Sequence, residues 1–402
     1  MTDVIRENLQ TPVKGEYDLI VCGGGMSGIA ASVAARRCGV ERVLLIEKSF
    51  VPGGLATAGL ITLYEPLDNG AGEKIMYGMP AELLRLCHRY SADTLPPEWE
   101  NDPDRAENPS GRYRAFYSPP VFMLVLEHFL RTEGVELLYD TAVVRPVMEE
   151  DRITAVIVEN KSGRSAYRAA FFVDGTGDAQ LFYQCGIPCV NGSNCLTYIY
   201  QRMDIESAVR IAETGDVSHL RAWKNVGGNV YGENHPEGFP WLSGSTAEEL
   251  TAYMIKGREL AFESIRNDDR KRRDIVSVPM MPQLRRIRRV DAPFVYREED
   301  LGKHFPDSIS TLTDFLHPGE QYEIPYRIMY DPGIANAYVT GRGISADGWA
   351  WDVVRAIPGS VATGQAAGTA VSLLRDCRRT AADLPPEWLQ AGLEKQGVRL
   401  HF

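Results

Sequence analysis

The chain has 402 residues and a formal net charge of −11 at pH 7, so it is long enough for two domains and too acidic for general nucleic-acid binding. Its 44% hydrophobic and 24% charged residues are typical of a soluble globular protein. No apolar run is long enough to cross a bilayer, and the first residues lack the apolar core of a signal peptide. Seven cysteines, an odd number, favour a reducing compartment over a disulfide framework. We therefore expect a cytoplasmic protein without a membrane or nucleic-acid partner.

The segment from Tyr17 to Lys48 carries the strongest functional signal in the sequence. Tyr17–Cys22 predicts a buried strand, an Ala-rich run that ends near Cys38 predicts a helix, and Arg42–Glu47 predicts a second strand. Gly39 would close the helix in a left-handed conformation. Between the first strand and the helix lies a G-x-G-x-x-G turn, which in this context is the fingerprint of a dinucleotide-binding unit. The fingerprint assigns the following residues to the dinucleotide: Gly23, Gly25, Met26, Ser27, Gly28, Glu47 and Lys48.

Each of these residue types suits dinucleotide binding for a physical reason. Gly23 permits a tight turn, Gly25 lets the backbone approach a pyrophosphate, and Gly28 lets the helix pack close to the strand. The helix N-terminus offers free N–H groups and a positive dipole end to phosphates. Glu47 can accept hydrogen bonds from both ribose hydroxyls, and its charge disfavours a 2′-phosphate. The alternative is a glycine-rich turn in an ordinary α/β unit, but strand, helix and terminal acid together favour dinucleotide binding.

The rest of the chain divides into regions of different pattern. A helix is predicted over 119–131, and short apolar runs with a period of two predict four strands between Val135 and Val173. The stretch that follows contains many turns and one long helical segment near Thr246–Asn267, and we expect it to form a cap or substrate domain. From Ala337 a strand, a glycine turn and an Ala/Gly-rich helix return. The predicted domains are residues 16–185 and 331–402, which complete one nucleotide-binding domain, and residues 186–330, which form the cap.

Four segments along the chain form a recognisable set. They are the fingerprint with Glu47, the second glycine loop at Gly53–Gly59, the segment Val173–Asp178, and a closing group of Ile324–Arg327, Gly341–Ser345 and Gly364–Gly368. Together they resemble the FAD-dependent oxidoreductases of the glutathione-reductase-like two-domain superfamily. The nearest group is a bacterial family of FAD-dependent oxidoreductases related to fumarate reductase flavoproteins and to glucose-inhibited division protein A. The resemblance covers most of residues 17–200 and 280–375. It implies an α/β fold, with a Rossmann-like FAD-binding domain of three-layer ββα architecture and a smaller α+β substrate or cap domain.

The resemblance also implies a non-covalent FAD, because no histidine is found at the linkage position of such families. The C-terminal return to the nucleotide domain favours FAD over NAD. By resemblance, Asp174 lies near the adenine half or the pyrophosphate. The helix that begins near Ser360 would aim its N-terminus at the flavin N1/C2 carbonyl edge, where reduction places negative charge. The further residues assigned to FAD are Gly53, Gly54, Leu55, Ala56, Thr57, Val143, Gly175, Thr176, Gly177, Asp178, Gly341, Arg342, Gly359, Ser360 and Val361.

An Arg-rich run over 282–289 supplies the first candidates for catalysis, and the resembling family carries such a run at this place. On a strand, Arg286 and Arg288 would share a face. One or both could clamp a substrate carboxylate or stabilise a developing negative charge. The alternative is surface ion pairing with the acidic residues at 298–300.

Three residues nearer the C-terminus complete the candidates. Tyr326 and Arg327 lie in a family-like segment where either could face the flavin, and a structural pair is the alternative. Many relatives have a histidine shortly after the segment that matches Gly341–Ser345, where this chain has Gly348. Asp347 is therefore the candidate to replace that histidine as acid or base, unless the chemistry differs.

Three absent motifs narrow the class of enzyme. No Cys-x-x-x-x-Cys pair follows the second glycine loop, which disfavours a disulfide reductase. No second G-x-G-x-x-G turn follows a strand, which disfavours a built-in NAD(P)H domain. Cys185, Cys189 and Cys195 match no metal-ligand spacing, so we expect no metal site.

We therefore expect an FAD-dependent oxidoreductase that transfers a hydride between a small polar or anionic metabolite and flavin N5. Its electron acceptor or donor is unidentified, and the sequence allows a homo-oligomer. Two alternatives stay open: a flavoprotein of the tRNA-modification type, and a protein that uses FAD in a redox-neutral or structural role. The first needs a basic RNA-binding surface, which the net charge of −11 disfavours.

Overall fold

The computed structural model describes residues 4–107, 109, 111–375, 377 and 379–402. Within these residues the strands are β1 Val13–Cys22, β2 Val43–Ile46, β3 Leu63–Tyr64, β4 Ala115–Phe116, β5 Glu136–Leu138, β6 Thr141–Glu149, β7 Arg152–Asn160, β8 Gly163–Asp174, β9 Cys189–Asn191, β10 Ile199–Asp204, β11 Ala222–Asn225, β12 Arg273–Ser277, β13 Arg288–Val290, β14 Ser308–Thr313, β15 Gln321–Pro325 and β16 Ala337–Val339. The α-helices in the same residues are α1 Met26–Arg37, α2 Met79–Arg89, α3 Pro119–Thr132, α4 Gln180–Gln184, α5 Ile205–Thr214, α6 Ala247–Arg266, α7 Gly348–Val354, α8 Ile357–Leu374 and α9 Pro386–Glu394. None of these described helices combines the length and the apolar character needed to cross a membrane.

The central sheet brings the predicted nucleotide loops to one edge. Its strand order is β5-β2-β1-β8-β7-β6, and β16 pairs with the C-terminal part of β8. β5, β2, β1, β8 and β16 run parallel. Cys22 at the end of β1 is in register with Ile46 of β2 and with Asp174 of β8. Val339 of β16 is also in register with Asp174. The carboxyl ends of four parallel strands therefore meet at the edge where ligands bind in open α/β sheets.

The central sheet is buried on both faces because side chains alternate along its strands. On β1, Leu19 and Val21 pack in the main core cluster with α1 and α8. Ile20 and Cys22 pack in a second cluster with side chains of β7 and β8. Helices α1 and α8 thus cover one face, and side chains from the β7–β8 part of the same sheet pack on the other. This arrangement confirms the predicted α/β class and its three-layer architecture.

Close packing of α1 against α8 ties the C-terminal segment to the first nucleotide-binding unit. A Cβ atom on Gly364 of α8 would collide with the carbonyl of Ser27, and one on Gly368 would collide with the carbonyl of Ala31. Glycine at these two positions therefore permits the helices to touch. The C-terminal helix thus packs against the first nucleotide-binding unit, and its membership of the same domain stays a prediction.

The predicted elements are close to those observed. The helix α3 and the four strands that follow it are confirmed, as are α1 and α8. Gly39 has a φ of +88°, as the predicted left-handed helix end requires. β1 begins earlier than predicted because its polar first half, from Val13, pairs with β8.

Small sheets and one long helix make up the region after residue 186. β10 pairs with β11 and β12, and β9 pairs with β13. α6 packs in a separate cluster that includes Tyr253 and Leu284. The β14–β15 hairpin differs, since Ile309 and Ile324 lie in the main core cluster. The predicted domain bounds stay a prediction.

Candidate active site

The glycine loops predicted from the sequence meet at the carboxyl edge of the sheet. The N–H of Gly53 donates to the carbonyl of Gly24 at 2.8 Å, which joins the second glycine loop to the first. The N–H of Gly175 donates to the carbonyl of Cys22, also at 2.8 Å, and brings in the third loop. Gly23 has a φ of +105°, and a Cβ atom on it would collide with the carbonyl of Gly175. Only glycine allows this approach.

The C-terminal loop joins the same edge. Thr340 Oγ1 donates to Ser27 Oγ at 3.0 Å, and the N–H of Gly341 donates to Thr363 Oγ1 of α8 at 3.0 Å. A Cβ atom on Gly341 would lie 2.8 Å from Ser27 Oγ. The structure therefore brings the first glycine turn, the C-terminal loop and the beginning of α8 together.

More open space surrounds Gly25 than surrounds Gly28. A Cβ atom on Gly25 would meet nothing closer than the carbonyl of Gly175 at 3.9 Å, whereas one on Gly28 would collide with the carbonyl of Gly23. Packing within the protein thus requires glycine at 28 but not at 25. No side chain caps the start of α1, where Gly25 is the N-cap residue. The space and the N–H groups at this helix start fit a phosphate group.

Glu47 lies at the end of β2 and is only 8% exposed. Its Oε2 accepts the N–H of Gly24 at 2.7 Å, and its Oε1 accepts the N–H of Ser49 at 2.8 Å. A carboxylate offers roughly four acceptor positions, so capacity remains for ribose hydroxyls. Lys48 is exposed, and Val143 packs against the second core cluster. Neither of these two residues has a described contact with the glycine loops.

Internal hydrogen bonds hold the second and third loops. The second contains a single 3₁₀ turn at Gly54–Ala56, and Thr57 Oγ1 donates to the carbonyl of Pro52 at 2.6 Å. In the third loop, the buried Asp174 accepts the hydroxyl and the N–H of Thr176 at 2.5 and 3.1 Å. Burial raises the pKa of Asp174 to about 6 despite these hydrogen bonds. Asp174 therefore shapes the loop from within.

Arg342 is a cation without a matching anion at the meeting point of these loops. Its Nη2 lies 2.6 Å from where a Cβ atom on Gly177 would be, and its Nη1 donates to the carbonyl of Leu284 at 2.5 Å. Burial lowers the pKa of Arg342 to about 10, although Asp178 partly offsets this effect. A guanidinium has five N–H donors, and the described residues provide Arg342 with this one acceptor. The donor set fits a pyrophosphate.

The N-terminus of α8 carries a buried carboxyl group. Glu65 Oε2 accepts the N–H of Ile357, the first residue of α8, at 3.1 Å, and Ser360 Oγ donates to the carbonyl of Arg355 at 2.8 Å. Burial raises the pKa of Glu65 to about 7, and the Ile357 N–H and the charge of Arg355 oppose the shift. A group with this pKa can hold or release a proton near neutral pH.

Two arginines pair with a single carboxylate beside this helix end, and a third lies near one of them. Asp352 accepts from Arg355 at 2.6 and 2.8 Å and forms an ion pair with Arg286. Burial disfavours the charge of Asp352, yet Arg355 and Arg286 hold its pKa below the usual value. Burial lowers the pKa of Arg355, Asp352 opposes this, and the charges of Arg285 and Arg286 lower it further. Positive charge therefore exceeds negative charge among these described groups.

The structure separates the two arginines that the sequence placed on one strand face. β13 begins at Arg288, so Arg286 precedes the strand and the predicted shared face is wrong. Arg288 is buried, lies 3.9 Å from the ring centroid of Tyr183 and donates to Gln180 at 3.1 Å. Arg286 instead pairs with Asp352.

The other three catalytic candidates make contacts that stabilise the fold. Tyr326 is buried, and its hydroxyl lies 2.7 Å from the Tyr338 hydroxyl and donates to the carbonyl of Ala381 at 2.7 Å. Arg327 forms two hydrogen bonds with Asp307 at 2.8 and 2.5 Å. Asp347 caps α7 through the N–H of Gly348 and lies 3.7 Å from Arg289. None of these described contacts involves a glycine loop.

A cavity of about 330 Å³ lies between the nucleotide domain and the small sheets. Thr62 and Tyr117 line one side, and Tyr117 donates to the carbonyl of Ala56 in the second glycine loop at 3.1 Å. Gln201 and Trp223 line the other side, and Trp223 Nε1 donates to Thr62 Oγ1 at 2.6 Å. Its volume falls in the range of small-molecule sites.

Sequence reasoning missed Glu65, Asp352 and Arg355, whereas Arg285 lies in the predicted Arg-rich run. Glu65 accepts the N–H of Ile357, 292 residues away in the sequence, and this long-range contact leaves no local pattern. Arg355 had a usable signal, since it directly precedes Ala356 and the Pro-containing first turn of α8, the helix predicted to face the flavin.

The fold and the converging loops define a dinucleotide cofactor site of the Rossmann type, in a protein with an additional cap region. The chain belongs to the FAD dependent oxidoreductase family, whose sequence model matches residues 18–273 and 247–393. Its cofactor is therefore FAD, and Gly25, Glu47 and Arg342 fit the phosphates and ribose of that group.

Individual similar proteins match less of the chain or match it weakly. Thioredoxin reductase of Ureaplasma parvum serovar 3 is 34% identical over 70 residues, which are 17% of this chain and 22% of that protein. The chain thus spans about a fifth of this curated relative.

Two solved structures resemble this chain weakly, at low identity. The p-nitrophenol 4-monooxygenase of Pseudomonas putida DLL-E4 is 11% identical, with a TM-score of 0.49 over 95% of this chain and 84% of that chain. A geranylgeranyl bacteriochlorophyll reductase-like protein of Thermoplasma acidophilum is 13% identical, with a TM-score of 0.43 over 96% and 84%. Likeness at this level carries no argument about the reaction.

Proposed function

We propose that this protein oxidises or reduces a small anionic metabolite by hydride transfer between a substrate carbon and N5 of FAD. The observation that carries the proposal is the Arg342 guanidinium where the glycine loops meet, which forms no ion pair with a described residue and whose desolvation the charge of Asp178 only partly offsets. When bound, FAD takes up or delivers the hydride and stores the electron pair.

Residues of this chain would hold the cofactor by familiar chemistry. The N-terminus of α1, with the open space at Gly25, suits one phosphate, and Arg342 suits the pyrophosphate charge. Glu47 keeps acceptor capacity for ribose hydroxyls. The N-terminus of α8 offers positive potential to the electron-rich edge of the flavin.

We assign proton handling to Glu65, in place of Asp347. Oxidation of an alcohol or amine carbon releases a proton from its O–H or N–H group together with the hydride. Glu65 is close to the start of α8, and its pKa of about 7 suits it to accept that proton or to return it in the reverse direction. Asp347 is more exposed and serves as a helix cap.

The excess of arginine supports an anionic substrate. Arg285 and Arg286 lie on the cap side of Asp352 and Arg355, and the carboxylate cannot neutralise three guanidiniums. Arg286 keeps donors for a substrate carboxylate, which it can bind through its planar fork. The cavity between Thr62 and Gln201 borders the second glycine loop through Tyr117, and its volume suits a small metabolite.

The two alternative functions make different demands. A tRNA-modification role requires a basic face, whereas the chain carries a net charge of −11. A redox-neutral role requires no acid or base at the flavin edge. A proton-transfer role of Glu65 would therefore distinguish hydride transfer from a redox-neutral use of FAD. A cytoplasmic location, a homo-oligomer and the identity of the electron acceptor stay predictions.

The first test is the identity and retention of the cofactor. Acid precipitation of the purified, FAD-reconstituted protein should release one FAD per chain, because no covalent link is proposed. Release of FMN or NAD, or failure to retain any flavin, would contradict the proposal.

A further inference from the structure

A cluster of two histidines and a glutamate lies where the C-terminal residues meet the β14–β15 hairpin. Glu323 is 1% exposed at its side chain, and its Oε2 accepts the N–H of Phe305 at 2.7 Å. Its Oε1 lies 3.3 Å from His304 Nδ1 and 3.0 Å from His401 Nδ1. The two imidazole rings are 4.7 Å apart between centroids. Three ligand-type atoms thus converge on one point.

Backbone contacts fix the geometry of this cluster. The carbonyl of Leu400 accepts the Ser308 hydroxyl at 2.6 Å, and the carbonyl of Arg399 accepts the N–H of Thr311 at 2.9 Å. Thr311 is in register with Glu323 across the hairpin. The segment that carries His401 is therefore held beside the strand that carries Glu323. Preorganised ligands lower the cost of ordering a metal site.

Hydrogen bonding within the protein accounts for only one of the two histidine contacts with Glu323, the one between His304 Nδ1 and Glu323 Oε1 at 3.3 Å. His401 Nδ1 is buried and has no hydrogen-bond partner among the described residues, although Glu323 Oε1 is close to it. Buried polar atoms are nearly always paired. Both Nδ1 atoms instead face the same carboxylate oxygen, as lone-pair donors around a shared cation would.

The separations match a small divalent cation. Zinc bonds nitrogen and oxygen ligands at about 2 Å, so ligands of a tetrahedral site are roughly 3.3 Å apart. The two measured Oε1–Nδ1 distances of 3.3 and 3.0 Å are near that value. Two imidazoles and one carboxylate suit Zn²⁺ and its late first-row neighbours rather than Mg²⁺ or Ca²⁺.

We propose that His304, Glu323 and His401 bind a Zn²⁺-type cation that fastens the C-terminal segment to the β14–β15 hairpin. His304 is largely exposed at its side chain, so water completes the coordination from the solvent side. The three residues are far apart in the sequence, which is why no ligand spacing predicted the site. The role assigned is structural, since the described contacts of these residues do not involve the glycine loops.

The test uses the flavin-loaded protein after EDTA treatment and desalting, with Zn²⁺ alone as the probe. Calorimetric titration near neutral pH should show one Zn²⁺ per chain. His304→Ala and His401→Ala should each weaken binding about tenfold or more, while His128→Ala, at an exposed position on α3, should leave it unchanged. Zn²⁺ should also raise the Tm of the parent and of His128→Ala but not that of His304→Ala.

Two results would overturn the proposal. One is the absence of stoichiometric Zn²⁺ binding by the folded parent. The other is binding that both His304→Ala and His401→Ala retain at parental affinity, which would locate the metal elsewhere. Flavin absorbance and circular dichroism confirm that each variant is folded, and neither outcome depends on the proposed reaction.

Discussion

Arg342 packs directly on Gly177, with its Nη2 atom 2.6 Å from the position that a Cβ on Gly177 would take. Gly177 belongs to the third nucleotide loop and Arg342 to the C-terminal return, so the contact joins two segments that are distant in sequence. No larger residue at 177 would leave the guanidinium in this place. The contact holds a positive charge where the loops converge, and four predictions rest on this site and its surroundings.

The first prediction is that Arg342→Met weakens FAD binding while the apoprotein keeps or gains stability. Burial lowers the pKa of Arg342 to about 10, which means that its charge is poorly compensated without a ligand. A charge-assisted hydrogen bond contributes about 1.5–3 kcal/mol, so FAD affinity should fall about tenfold or more. Equilibrium titration of apoprotein with FAD and the apoprotein Tm measure the two effects. Arg266→Met, at an exposed position ending α6, is the control. Unchanged FAD affinity in Arg342→Met would remove this residue from the cofactor site.

The second prediction separates two neighbouring glycines. Gly25→Ala should fold but lose FAD affinity, because its Cβ would enter open space that we assign to a phosphate. Gly28→Ala should fold poorly, since its Cβ would collide with the carbonyl of Gly23. Circular dichroism reports folding, and FAD titration reports binding. Parental FAD affinity in a folded Gly25→Ala protein would show that the space is not occupied by cofactor.

The third prediction concerns the pH dependence of stability. Burial raises the pKa of Glu65 from 4.5 to about 7, so between these values the folded state binds more protons than the unfolded state. Stability of the apoprotein should therefore fall as pH rises through this window, by at most roughly 3 kcal/mol. Glu65→Gln should remove this part of the pH dependence, and the exposed Glu248→Gln should retain it. Urea unfolding at several pH values makes the comparison. Identical pH profiles for Glu65→Gln and the parent would show that the carboxyl is not perturbed.

The fourth prediction distinguishes Arg286 from Arg288. If the planar fork of Arg286 meets developing charge, Arg286→Lys should raise the free-energy barrier of flavin reduction by roughly 2–4 kcal/mol and slow the reaction accordingly. Arg288→Lys should leave the rate unchanged, since Arg288 stacks on Tyr183 and donates to Gln180. Single-turnover rates with FAD content checked by absorbance provide the measurement. If both variants and the parent reduce flavin at equal rates, the Arg-rich run at 282–289 has a structural role only.

Much of the nucleotide domain could be predicted because its signals are local. The strand, glycine turn and helix from Tyr17 to Arg37 follow from periodicity and glycine spacing alone. The separation of Arg286 from Arg288 could not be predicted, because the start of β13 depends on its pairing with β9. Trp99 lies in a polar stretch of the sequence, and yet its side chain is in the core, stacked on Tyr113.

The proposed acid and the proposed metal ligands could not be predicted from the sequence for a related reason. Glu65 has a raised pKa because the folded chain desolvates it, although the N–H of Ile357 in the first turn of α8 opposes the shift. Glu323 meets His304 and His401 only after the C-terminal segment has packed on β14. Burial and long-range contact define these groups, and neither quantity is encoded in residue spacing.

Anaerobic flavin absorbance tests the central claim most directly. The FAD-loaded protein is mixed with a panel of small 2-hydroxy acids and amino acids, and the dithionite-reduced protein is mixed with small unsaturated acids. The account predicts that at least one anionic compound bleaches the oxidised flavin or restores the reduced one, and that Arg286→Lys slows that reaction. If dithionite reduces the bound FAD but no compound of either panel changes its absorbance, the proposed hydride transfer with a small anionic substrate is contradicted.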